Sequence, residues 1–103
     1  MEPIIVHVDP EIRELIPDFL ANRRRDITDM LRALESGDSD TLQRMGHSLK
    51  GVGGGFGFDE ITSLGEVIEI AAKTRHFEDV RMAALRLRTY LDRVRVVFDA
   101  ETC

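Results

Sequence analysis

Apolar residues recur at helical spacing along most of the chain. From Pro17 to about Glu35, Phe19, Leu20, Ile27, Met30, Leu31 and Leu34 follow a helical period. Gly37 then stands where a left-handed cap ends a helix, and Asp38 or Ser39 can cap the next one. In that next helix Leu42, Met45, Leu49, Val52 and Phe56 step by threes and fours into one apolar seam. Gly57 and Phe58 make a turn, and Asp59 can cap a further helix whose seam is Ile61, Leu64, Ile68 and Ala71. Thr74 to Phe77 is a short connection. The last helix carries Val80, Ala84, Leu87, Leu91, Val94 and Phe98.

Ahead of these, Pro3 to Val8 is short, apolar and extended, and reads as an arm laid on the bundle. Asp9-Pro10-Glu11 starts a short helix, with Asp9 as N-cap and proline at the first helical position. Pro17 breaks or restarts that helix. Four long amphipathic helices joined by short connections predict an all-α fold, an antiparallel four-helix bundle with a short extra N-terminal helix. The expected boundaries are 1–16 for the arm and short helix and 17–98 for the bundle, within one domain spanning 1–103.

Composition narrows the partners. A chain of 103 residues suits a single small domain. With 43% hydrophobic and 32% charged residues it reads as soluble and helix-rich. The net charge of −5 argues against a nucleic-acid partner. Arg23, Arg24 and Arg25 are the only basic run and read as a solvated face. Cys103 is alone, so no intrachain disulfide is possible. The N-terminus lacks the pattern of a signal peptide. No apolar run approaches the ~20 residues that span a bilayer. The expectation is a cytoplasmic monomer without membrane contact.

The chemistry concentrates in Gly46 to Phe58, which reads Gly-His-Ser-Leu-Lys-Gly-Val-Gly-Gly-Gly-Phe-Gly-Phe. Each glycine inside a helix costs about 1 kcal/mol relative to alanine, so the run calls for close approach by something else. At roughly 100° per residue, His47 lies roughly 175° from the centre of the apolar seam. It therefore stands on the solvent face with Gln43 and Gly54, flanked by Lys50 and Gly51. Lys50 and Gly51, at i+3 and i+4, are its nearest helical neighbours. Lysine is a point charge suited to phosphate, and glycine leaves room for a partner surface. Neutral imidazole keeps a lone pair on one nitrogen and is a nucleophile towards phosphorus. Rival chemistries fit less well. GxxxxGK[ST] and GxGxxG are absent, and no second His or Cys sits at metal-ligand spacing from His47. Ser48 points roughly 100° away from His47, which disfavours a hydrolase. His7 and His76 read as solvated.

His47-Ser48-Leu49-Lys50-Gly51, with Gly57 ten residues after the histidine, resembles the signature of histidine-containing phosphotransfer (HPt) domains. It is also similar to the phosphoacceptor domain of the chemotaxis histidine kinase. The resemblance implies a four-helix bundle with a short N-terminal helix and a phosphoryl group carried on His47. Lys50 matches the motif lysine and Gly51 its small residue; Val52 departs from the small residue many members have there. The implied partners are receiver domains of response regulators or hybrid histidine kinases, with a receiver aspartate or a kinase domain as donor. The chain has no ATP site of its own, so a phosphocarrier rather than an enzyme is expected. No cofactor is expected in it; Mg²⁺ belongs to the receiver. Many members orient the imidazole with an acid or amide, for which Gln43, Glu66 and Glu69 are the candidates. Gly54 and an exposed Phe58 are expected to help dock the partner. The alternative is an adaptor bundle that binds the same partners without transfer; an intact His47 with Lys50 favours the carrier.

Overall fold

The structure, a computed structural model, describes residues 2–99. Cys103 lies outside them. Four helices, α1 (Ile16–Ser36), α2 (Ser39–Gly55), α3 (Asp59–Lys73) and α4 (Phe77–Arg93), follow one another through short connections. Their seams meet in a core that includes Phe19, Met30, Leu42, Leu49, Ile61, Ile68, Val80 and Leu87. Val52 is partly buried against it. Asp9 caps a 3-10 helix, Pro10–Leu15, its carboxylate accepting from Glu11 N at 2.9 Å. Pro17 then sits in the first turn of α1, where its missing N–H leaves no bond unmade.

The end of the last helix departs from the helical expectation, and the extended N-terminal arm gains a partner there. α4 stops at Arg93, and Val94–Phe98 forms a strand, β2. It pairs in parallel with β1 (Ile4–Val8), with Ile4 opposite Val94 and Val8 opposite Phe98. The bundle therefore ends at 93, not 98. Val94, Val96 and Val97 contribute to the change: three β-branched residues within four positions favour extended backbone, and an apolar segment at Ile4–Val8 supplies the ladder. The arm is thus a paired strand. His7 Nδ1 meets Asp99 Oδ1 at 3.0 Å across the end of this ribbon.

Three helices end in the same geometry. The N–H groups of Asp38, Phe58 and His76 donate to Ala33 O, Gly53 O and Ala71 O, at 2.9, 2.8 and 2.8 Å. Each bond closes over a left-handed residue: Gly37 (φ 65°), Gly57 (φ 90°) and Arg75 (φ 58°). Asp38 is the N-cap of α2 and accepts from Thr41 N at 3.1 Å. The side-chain and backbone bonds from Thr41 hold its carboxyl below the usual range. At α3 the N-cap position belongs to Phe58, and Asp59 lies in the first turn instead.

The arginine run is only partly a solvated face. Arg23 lies over the Phe19 ring at 4.8 Å and pairs with Asp26 at 2.8 Å. Burial pushes the Asp26 carboxyl up, against the opposing pull of Arg23. Arg24 ties α1 to the end of α4 through Asp92, at 2.8 Å, and Leu91 O, at 3.0 Å.

Candidate functional site

α2 carries His47 and Lys50 outwards on the side away from its seam. The His47 side chain is 74% exposed, and Lys50 is 44% exposed. α3 supplies the third member. Glu69 is half-buried between the two helices; its Oε2 lies 2.9 Å from His47 Nδ1 and its Oε1 3.8 Å from Lys50 Nζ. A carboxylate only accepts, so Nδ1 of a neutral His47 donates, and Nε2 keeps its lone pair. The lysine contact is at the outer limit of an ion pair and well solvated, so it orients more than it binds.

The orienting candidates thus separate. Glu69 contacts the imidazole, while Glu66 is exposed on α3 without a bond to it. Gln43, one turn before His47, lines an open hollow of about 570 Å³ with Asp40, Arg44, His47, Ser48 and Glu69. Thr41 Oγ1 accepts from Arg44 at 3.3 Å at its margin. His7 and His76 lie elsewhere; His76 Nδ1 is 2.7 Å from Thr74 Oγ1.

The glycines divide by what surrounds them. Gly51 faces open space, and a Cβ on Gly54 would meet only Thr62 Oγ1, at 3.5 Å. Both leave the surface after His47 low and accessible. Gly53 is buried, and a Cβ there would come within 2.6 Å of Thr62 N. Gly46 and Gly65 are tighter still: they face each other where α2 crosses α3, against the backbones of Glu69 and Lys50. The sequence signal for Gly65 was an isolated glycine four residues before Glu69; periodicity alone gives it no partner.

Phe58 corrects an expectation. It is 0% exposed, its ring stacked 5.1 Å from that of Phe19, which also stacks on Phe56 at 4.4 Å. As the residue just before α3 it points back into the core and cannot dock a partner directly.

An Hpt domain family model matches residues 14–96. The chain belongs to the Hpt domain family. Hpt domains serve histidine phosphotransfer in two-component phosphorelays, with receiver and kinase domains as partners. The match covers all four helices. The curated proteins and solved structures compared with the chain gave no significant match. No helix of this Hpt domain, among the described residues, is long and apolar enough to cross a membrane. Among the same residues, no group of three His, Cys, Asp or Glu side chains is placed to hold a metal ion.

Proposed function

We propose that His47 is the phosphoacceptor of this Hpt domain, taking a phosphoryl group from a receiver phosphoaspartate and passing it to a second receiver. The observation that carries this reading is the Glu69 Oε2 to His47 Nδ1 contact at 2.9 Å. It commits the Nδ1 proton and leaves Nε2 as the nucleophile on an exposed ring. In the transfer, the Nε2 lone pair forms a bond to phosphorus in line with the departing aspartyl oxygen. The acyl-phosphate P–O bond breaks and the aspartate leaves as carboxylate. Nδ1 keeps its proton, so the ring becomes cationic as the N–P bond forms, and the Glu69 carboxylate offsets that charge. Lys50 can swing from Glu69 towards the phosphoryl oxygens, since a lysine stem is flexible. The reverse sequence delivers the group to the next receiver aspartate.

In this reading Mg²⁺ resides on the receiver, and the chain acts as a monomeric single domain without ATP chemistry. Gly51 and Gly54 keep the helix surface low enough for the receiver to reach Nε2, and Gln43 lines the approach.

The test is to mix the protein with a phosphorylated receiver and follow acid-labile, base-stable phosphate on the chain. His47→Gln is expected to take up none; uptake by that variant overturns the assignment of His47, whereas a wild type that binds the receiver and takes up no phosphate favours the adaptor. Lys50→Ala is expected to slow transfer by about tenfold, the loss of one solvated charge contact, with receiver affinity little changed.

A further inference from the structure

The geometry points to Gly46 and Gly65 as positioning residues: their missing side chains let α2 and α3 approach closely enough for Glu69 to hold the Nδ1 proton of His47. The consequence for transfer rests on the phosphocarrier reading of His47; the positioning itself does not.

The two helices touch backbone to backbone at this point. A Cβ on Gly46 would lie 2.8 Å from Glu69 Cα and 2.9 Å from Gly65 O. A Cβ on Gly65 would lie 2.8 Å from Gly46 O and 2.9 Å from Leu49 C. These neighbours are backbone atoms, which cannot rotate aside as a side chain can. Any larger residue must therefore move one helix. The contacts are reciprocal in sequence: Gly46 abuts Glu69, and Gly65 abuts Lys50. Each glycine thus seats the residue four positions after the other, and these two residues are the ones that make the charged contacts of the site.

A shift of about 1 Å matters here for two reasons. The hydrogen bond from Nδ1 weakens steeply beyond its normal distance. Without it the neutral ring is free to place its proton on Nε2, which removes the lone pair that would attack phosphorus. Glycine beside the histidine is then not only an opening for the partner; on this flank it faces inwards.

The experiment reads the tautomer directly. Two-bond ¹H–¹⁵N spectra of the free protein, at a pH high enough to keep the ring neutral, distinguish Nδ1–H from Nε2–H. Wild type is expected to show mainly Nδ1–H. Gly46→Ala and Glu69→Ala are expected to shift His47 towards Nε2–H. Gly53→Ala supplies the control. It clashes with Thr62 on the same interface, about 10 Å further along α2, and is expected to lose stability while keeping Nδ1–H. Glu69→Asp retracts the carboxylate by one methylene without touching the helices. It tests the same distance if Gly46→Ala does not fold, and is expected to lose Nδ1–H. In the receiver assay Gly46→Ala should slow uptake by on the order of tenfold to a hundredfold, and combining it with Glu69→Ala should add little further. A folded Gly46→Ala that keeps Nδ1–H overturns the inference, as does Glu69→Asp keeping it. If wild type takes up no phosphoryl group, the proposed function falls and the tautomer shift still decides this inference.

Discussion

Glu69 holds two cationic or proton-bearing groups from one half-buried carboxylate, and its backbone is pinned by Gly46. Phe58 contrasts with it: an aromatic near the site in sequence whose whole surface is spent on the core. Phe58→Ala is expected to destabilise the fold by about 3–5 kcal/mol, as for a truncated core aromatic, measured by urea denaturation. A variant of unchanged stability that binds a receiver poorly would instead assign Phe58 to docking. These two residues mark how legible the site was. His47, Lys50 and Gly51 were readable because they share one helix, where spacing fixes direction. Glu69 was not separable from Glu66, because the choice depends on how α3 rotates against α2. Phe58 was misplaced because a turn residue has no period to say which way it faces.

At the scale of elements, the three repeated helix ends are the clearest regularity. Gly37 and Gly57 announced theirs, since glycine adopts a left-handed backbone without penalty. Arg75 adopts the same backbone with φ 58° and left no signal. Its guanidinium lies 5.5 Å from the centre of the Phe77 ring, a contact that offsets part of the strain. Left-handed backbone costs an ordinary residue roughly 1–2 kcal/mol, and glycine returns some of that through the unfolded chain. Arg75→Gly is therefore expected to stabilise the protein by about 0.5 kcal/mol, seen as a higher melting temperature. A lower one would show that the Phe77 contact outweighs the strain. The helices themselves were legible from their seams, but β2 was not. Val94 and Phe98 continue the α4 spacing, which masks the extended preference of the valines, and the pairing with Ile4–Val8 completes the strand.

For the whole molecule, pH sensitivity follows from Tyr90, which is buried on α4 beside the cleft under β1. Burial, with the Glu60 and Asp59 carboxylates nearby, pushes its phenol from 10.0 up to about 12. The folded value lies above the unfolded one, so the stability tied to the neutral phenol is complete below pH 10 and lost as pH rises towards about 12. Denaturation midpoints measured over that window should fall, and Tyr90→Phe should flatten the fall. An unchanged slope in the variant would assign the loss to other groups.

The pairing of Ile4–Val8 with Val94–Phe98 also orders events in time. On the ribosome the first strand emerges before any helix and its partner emerges after all of them. At about 5–20 residues per second the wait is on the order of ten seconds. Throughout it, Ile4, Val6 and Val8 have no ladder to join, while α2 and α3 can already close on each other through local contacts. The ribbon is therefore the last stitch of folding, and the nascent chain carries an open apolar strand until the residues that follow α4 are made.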